Sequence, residues 1–249
     1  MEGIKKISQM LNESKYAVVF TGSGISAESG IPTFRGVDGL WKKYNPEEVA
    51  SIYGFKRNPS AFWEFAKELI LKSNAEPNPA HYAIAELERE GVVKAVITQN
   101  IDMLHQRAGS RRVLELHGSM NYVDCLDCEA VYEWEYIAKI LKERQPVCEK
   151  CGGEFLKPRV VFFGEPLSYD VLTSAMEEAR KADLFLVIGS SLVVYPAASL
   201  PEIAKKSGAK LALINLEPVE KDFIFDVVVY GKAGEVMKKV LEEFKKLRG

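Results

Sequence analysis

Cysteine is scarce in this chain, four in 249 residues, and so are histidine, with three, and glutamine, with four. Four cysteines are too few for the disulfide-dense scaffolds of small secreted domains. Long hydrophobic runs are missing too: none approaches the ~18 to 20 residues that span a bilayer. The start, Met1-Glu-Gly-Ile-Lys-Lys6, lacks the apolar core of a secretory signal, so a cytoplasmic protein is expected. Nor is there an excess of either charge. Lysine and arginine number 33 against 35 acidic residues, a formal net charge of −2 spread evenly along the chain, which argues against broad electrostatic binding to nucleic acid. The composition is otherwise 47% hydrophobic and 27% charged, ordinary for one large globular domain with a small insert. Abundant Lys and Glu beside so few glutamines hint at a heat-adapted source.

The few cysteines are concentrated. Cys125-Leu-Asp-Cys128 and Cys148-Glu-Lys-Cys151 are separated by nineteen residues. Two Cys-x-x-Cys knuckles at that distance match a zinc ribbon, in which four thiolates close a tetrahedral shell and leave no position open for chemistry. The competing reading is a pair of disulfides. Zinc is expected to supply folding free energy here, because the stretch from Met120 to Arg159 is too short to bury an adequate core unaided.

Outside that stretch, short apolar runs alternate with helical patterns, which predicts an α/β fold with a Rossmann-like parallel sheet. Ile4, Ile7, Met10 and Leu11 recur at helical spacing. Residues 16–20, 92–97, 113–116, 184–188, 211–214 and 225–229 read as strands. Directly after the first run, Gly22-Ser-Gly-Ile-Ser-Ala27 satisfies the Gly-x-Gly-x-x-Gly/Ala form of the dinucleotide turn, where backbone amides and a helix start meet a pyrophosphate. A tight turn without a ligand accounts for it equally well. Gly30-Ile-Pro-Thr-Phe-Arg-Gly36 interrupts the expected helix and reads as a lid loop, or as a surface turn with Phe34 in the core. Trp41, Tyr44, Tyr53, Phe55, Phe62, Trp63 and Phe65 crowd a small helical insert, where most are packing residues.

In open α/β sheets ligands lie outside the carboxyl ends of the strands. Gln99, Asn100 and Asp102 follow one strand, His117-Gly118 another, and Asn215 and Glu217, suited to ribose hydroxyls, a third. His81 reads as a helix-start surface or packing residue and His105 as orienting a turn. His117 is the general-base candidate, since an imidazole with a pKa of ~6.5 can draw off a hydroxyl proton near neutral pH. For each, the bland reading is an ordinary strand-end hydrogen bond.

Taken in register, Gly22–Ser26, Gly30–Arg35, Thr98–Asp102, Leu116-His-Gly118, the paired knuckles, Pro158–Glu165, Gly189–Pro196, Ile214–Glu217 and Gly231–Glu235 resemble the sirtuin family from end to end. The resemblance implies a discontinuous Rossmann-like NAD-binding domain over residues 1–118 and 160–249, with a helical insert at about 36–76, and a zinc-binding module over 119–159 held by Cys125, Cys128, Cys148 and Cys151. It implies an NAD-dependent protein-lysine deacetylase that moves acetyl to ADP-ribose, releasing nicotinamide and O-acetyl-ADP-ribose. An acyl-lysine oxygen attacks the nicotinamide ribose, nicotinamide departs, and a ribose hydroxyl activated by His117 attacks the resulting imidate. Asn100 and Asp102 would hold the carboxamide and a water, Gln99 the ribose, and Phe34 would shield the reaction while Arg35 positions phosphate or closes the lid. Gly22, Ser23, Gly24, Ile25, Thr33, Ile101, Gly189 and Ser191 complete the implied NAD contacts. Ser190, Asn215, Leu216, Glu217, Lys232 and Ala233 fall at the adenosine end.

An acetyl-lysine peptide would add as a strand between Val161, Phe163, Gly164 and Glu165 on one side and Val193, Val194 and Tyr195 on the other. Family members that remove succinyl groups carry a Tyr-x-x-Arg pair where this chain has Ala66 and Leu69, so desuccinylation is expected to be weak. Ser23 stands where the family often has Ala, and Ser190 where Thr is frequent; both remain small. Acetylated peptides and proteins are the expected partners of a monomer, with no membrane or direct nucleic-acid role. An ADP-ribosyltransferase and a non-enzymatic zinc-ribbon adaptor are the alternatives.

Overall fold

The computed structural model describes residues 1–36, 39–70 and 75–249, and of residues 68–70 only the backbone. The side chain of Leu69, and with it half of the acyl-specificity expectation, lies outside the described residues, as do residues 37–38 and 71–74 of the insert. Nine strands are described: β1 (Ala17–Thr21), β2 (Val93–Thr98), β3 (Val113–Glu115), β4 (Gly118–Cys125), β5 (Val131–Glu133), β6 (Leu156–Val160), β7 (Leu184–Ile188), β8 (Lys210–Asn215) and β9 (Val227–Tyr230). The chain divides into two compact units.

The first unit comprises residues 1–29, 75–116 and 168–249. Its sheet runs β3-β2-β1-β7-β8-β9, every neighbouring pair parallel. A parallel sheet covered on both faces has no polar side to present, which is why β1 (Ala-Val-Val-Phe-Thr) and β7 (Leu-Phe-Leu-Val-Ile) are buried at every position. On one face the helices Glu2–Glu13, Pro79–Arg89 and Ala233–Arg248 bring Ile4, Ile7, Leu11, Ile84, Leu87, Met237, Val240 and Phe244 against Val19, Val93, Leu186 and Ile188. Each such apolar side chain contributes about 1.5 to 3 kcal/mol on burial. Phe20 and Phe185, one residue out of phase with Val19 and Leu186, stack on each other with centroids 6.1 Å apart.

In the second unit, residues 30–74 and 117–167, a three-stranded antiparallel sheet runs β5-β4-β6. Its core joins Phe55, Phe62, Trp63 and Ala66 from the helices Ile52–Arg57 and Pro59–Ile70 to Ile137 and Leu141 of the helix Trp134–Glu143, with Val123, Leu156 and two of the cysteines. Most of the insert aromatics pack as predicted, Phe55 meeting Phe62, Phe155 and Phe162 edge to face, whereas Tyr53 is exposed. No helix among the described residues is long and apolar enough to cross a membrane. Mixed α/β architecture with a parallel Rossmann-like sheet and a smaller zinc-ribbon and helical-insert part is therefore the fold.

Candidate active site

Chain order along the sheet reverses between β1 and β7: from β1 the chain steps outward to β2 and β3, whereas β7, β8 and β9 lie on its other side. Such a switch point is where open α/β sheets leave a crevice. There the loops after β1 and β7 meet closely. Gly22 N–H donates to Ile188 O at 3.1 Å and Gly24 N–H to Gly189 O at 2.8 Å. A Cβ on Gly24 would lie 2.7 Å from the Gly189 Cα, and one on Gly189 2.3 Å from the Ile25 nitrogen. The glycines of the motif are thus required by the meeting of two loops, and two of their amides are spent on it. The chain then turns through a 3-10 helix, Ser23–Ser29, rather than an α-helix. Glu28 at its end accepts from Gly234 N–H, setting a carboxylate on the start of the helix Ala233–Arg248 beside Lys232 and Ala233.

Side chains from three strand ends, those of β1, β2 and β7, converge beside these loops. Ser190 Oγ donates to Gln99 Oε1 at 2.7 Å and accepts from Leu192 N–H at 3.3 Å; Leu192 itself takes the left-handed conformation. Asn100 Nδ2 donates to Gly22 O and to Ser26 Oγ, both at 3.2 Å, which fixes the orientation of its amide. Ser26 Oγ donates in turn to Asp102 Oδ2 at 2.7 Å, and Leu104 N–H donates to Oδ1 at 3.0 Å. Burial pushes the Asp102 carboxyl upward, against these donors, which pull it down. Asn215, at the end of β8, donates from Nδ2 to Glu217 O at 2.7 Å, while Leu216 is exposed. The switch point of this unit therefore brings together Gly22–Ile25, Gln99–Asp102 and Gly189–Ser191, with Asn215–Glu217 and Lys232–Ala233 at neighbouring strand ends.

Beneath them lies a buried polar network that sequence reasoning missed. Asn78 N–H donates to His81 Nδ1 at 3.3 Å, so Nε2 carries the proton and faces Ser26 Oγ at 3.5 Å. Thr21 Oγ1 donates to Thr98 Oγ1 at 2.8 Å and so accepts from His105 Nε2 at 2.9 Å. The two imidazoles lie 5.0 Å apart, and burial lowers their pKa values to about 4 for His81 and about 3 for His105. Both are neutral at pH 7. The only visible signal for Ser26 was a hydroxyl two residues after the glycine pair.

Val193, Val194 and Tyr195 lie in the first unit, and the second carries the remaining candidates. His117 is half-buried in the turn between β3 and β4, and its carbonyl accepts from Val161 N–H at 2.8 Å. Gly118 has a φ of +71°, and a Cβ there would lie 2.1 Å from Arg159 O, so no other residue fits beside this imidazole. In the 161–165 segment, Phe163 pairs through both backbone groups with Ala50 and Ile52, at 2.9 and 3.0 Å. Glu165 accepts from Phe162 N–H at 2.8 Å and pairs with Lys157 at 3.0 Å; its carboxylate closes a turn. Thr33 Oγ1 donates to Arg35 O, and Phe34 stacks on Trp41 with centroids 5.0 Å apart. Phe163 meets the edge of Trp41 at 6.2 Å.

All four cysteines are free, which removes the disulfide alternative. Their sulfurs lie within 4.8 Å of one another, with 3.7 Å from Cys125 to Cys151 and 3.5 Å from Cys128 to Cys148. Four thiolates at ~2.3 Å from a tetrahedral zinc stand about 3.8 Å apart, so this donor set fits one structural ion. Tyr132 supports it. Glu149 N–H donates to its hydroxyl oxygen at 3.0 Å, which directs the phenol proton to Cys148 Sγ 3.1 Å away. That bond is the largest cause lowering the Cys148 thiol to about 6.

Residues 22–196 match the model of the Sir2 family. The NAD-dependent protein deacylase 2 of Archaeoglobus fulgidus is 67% identical over 246 residues, covering 98% of this chain and 97% of that protein. A Sir2 protein solved with a myristoylated histone peptide superposes with a TM-score of 0.90 at 60% identity, covering 99% of this chain and 98% of that one. Another, solved with deacetylated p53 peptide and 3′-O-acetyl-ADP-ribose, gives 0.91 at 44% identity, covering 96% and 98%. The polar switch point, the four-thiolate cluster and these likenesses lead to one conclusion: the chain belongs to the Sir2 family.

Proposed function

We propose that the chain is an NAD-dependent protein-lysine deacetylase that moves the acetyl group of a modified lysine to ADP-ribose and releases nicotinamide. The observation that carries this reading is the polar cluster at the β1/β7 switch point, where Gln99, Asn100, Asp102 and Ser190 are held in place by one another and by the Gly22–Ile25 and Gly189–Ser190 loops. NAD supplies an anomeric carbon from which nicotinamide can be displaced. The chain's own side chains orient and protect that exchange. Asn100 and Asp102 are assigned to the carboxamide and an ordered water, and Gln99 to the ribose. Gly22, Ser23, Gly24, Ile25, Ile101, Gly189, Ser190 and Ser191 are assigned to the rest of the dinucleotide, with Asn215, Leu216, Glu217, Lys232 and Ala233 at the adenosine end. Thr33, Phe34 and Arg35 shield the exchange from water.

His117 is assigned the general-base role, taking a ribose hydroxyl proton. His81 and His105 are unsuited to it, because burial holds each as a weak base near 4 and 3. The peptide is assigned to Val161, Phe163, Gly164 and Glu165 and to Val193, Val194 and Tyr195. Phe162 and Phe163 spend backbone groups within the protein, and Gly164 is assigned to pair with the peptide strand. A relative of this chain takes a myristoylated peptide, which supports acceptance of longer neutral acyl chains. Ala66 is buried among aromatic and aliphatic side chains, and an acidic acyl group directed there would be left without a cationic partner; desuccinylation is accordingly weak. Lysine-acylated peptides and proteins are the partners of a monomer.

The test is to mix the protein with NAD and an acetylated peptide and assay free nicotinamide. Wild type should release it only when the peptide is present. His117→Ala, folded by its melting transition, should be slower by ~100-fold or more. Undiminished release from that variant would sink the assignment of the base.

A further inference from the structure

Lys221 lies in the loop that leaves β8 from Asn215. Its ammonium has three N–H donors, and all three are spent: on Tyr195 Oη at 2.7 Å, on Ala198 O at 3.2 Å and on Glu202 Oε1 at 2.5 Å. Tyr195 belongs to the segment after β7, Ala198 to the turn beyond it, and Glu202 to the helix Leu200–Lys206. The ammonium engages the phenol hydroxyl rather than the ring face, since it stands 4.9 Å from the ring centroid but 2.7 Å from the oxygen.

The loop carrying Lys221 is closed upon itself. Asn215 fixes its near end through Glu217 O and by accepting from Gly231 N–H at 2.8 Å. Asp222 fixes its far end, accepting from Val219 N–H at 3.2 Å and from the Tyr230 hydroxyl. A loop braced in this way shifts as a body. The Val193–Tyr195 segment is likewise held at its start, where Ser190 Oγ caps Leu192 N–H and reaches Gln99. Lys221 ties Tyr195 directly to this loop, while Lys205, on the same helix as Glu202, donates to Ile224 O farther along it.

Resting on the functional reading above, in which Asn215–Glu217 take the adenosine end and Val193–Tyr195 take the peptide, we infer that Lys221 is a positioning residue that couples the two, so that a dinucleotide and an acylated peptide tighten one another's binding through it. A group placed at Asn215–Glu217 restricts the loop, the loop restricts Lys221, and Lys221 holds Tyr195 in the peptide-bound arrangement. Reciprocity requires the peptide to tighten the dinucleotide by the same factor.

The experiment measures the dissociation constant of an acetyl-lysine peptide by calorimetry with and without saturating ADP-ribose, which presents the adenosine end but no leaving group. Wild type should bind the peptide about 5- to 100-fold more tightly with ADP-ribose present. Lys221→Met should bring that factor close to 1 while each ligand alone binds within a few-fold of wild type, and Lys221→Arg should restore part of it. Glu202→Gln, which keeps side-chain shape and weakens the anchor, should give an intermediate factor and serves in place of Lys221→Met if that variant melts early. A factor unchanged in both Lys221→Met and Glu202→Gln would overturn the inference, as would a wild-type factor of 1 in a protein that turns over NAD and peptide. Wild type that releases no nicotinamide would overturn the functional reading and this inference with it.

Discussion

The two units hold themselves together by different means. The first buries complete strands of a parallel sheet under helices, and much of its polar interior is hydrogen-bonded from within, through the Ser26, His81, Thr21 and His105 network, although His105 Nδ1 is buried without a partner among the described residues. The second has a three-stranded sheet and a few aromatics, with two of its cysteines inside that core. One stands on apolar area. The other depends on an ion that its thiolates are shaped to hold. The comparison teaches that a closed metal shell substitutes for core where a stretch of chain is too short to bury one.

Stripping zinc gives the largest expected effect. Structural zinc contributes on the order of 10 kcal/mol to such a module, so chelator, or Cys148→Ala, should abolish amide-exchange protection in β4 to β6 while β1 and β7 stay protected. Retained protection across residues 118–160 would break the contrast. Glycine substitutions come next. Gly118→Ala sets a Cβ 2.1 Å from Arg159 O at a φ of +71°, and Gly24→Ala sets one 2.7 Å from the Gly189 Cα. Each should cost about 2 to 4 kcal/mol in denaturant unfolding, Gly118→Ala loosening the zinc-bearing unit and Gly24→Ala the parallel-sheet unit. A loss below ~0.5 kcal/mol would show that the loops can separate freely.

Acid sharpens the comparison from the other side. Unfolded histidine takes up a proton near pH 6.5, whereas buried His81 does so only at about 4, so the unfolded state binds more protons in between. Stability of the first unit should therefore be unaffected above pH 6.5 and fall as pH drops from there to 4, by on the order of 3 kcal/mol from this residue. A melting series in which His81→Asn retains the same slope would remove the neutral-imidazole account. Smallest is the support for the metal: Tyr132→Phe should weaken zinc retention by about tenfold, read as faster metal transfer to a chromogenic chelator. Equal transfer rates would mean that the phenol does nothing for Cys148.

The contrast also explains how much was legible in the sequence. Strands β1, β7 and β8 could be read because burial on both faces leaves apolar runs, β2 despite the break at Lys94, and the knuckles because a metal fixes their spacing. The glycine motif was visible but its immediate reason was not, since the atom that excludes a side chain at Gly24 belongs to Gly189, far along the chain. The helix Trp134–Glu143 left a signal in Trp134, Ile137 and Leu141, which the cysteine spacing overshadowed. The polar network left almost none. Thr21 and His105 are 84 residues apart, and no local pattern announces that they will share a proton.

The most direct measurement tracks the fate of NAD labelled in its adenosine when the protein is supplied with one acetylated peptide. Deacetylation by transfer to ADP-ribose requires one nicotinamide and one labelled O-acetyl-ADP-ribose for each acetyl lost from the peptide, with no label retained on protein. Label accumulating on protein while the peptide keeps its acetyl group would contradict the account.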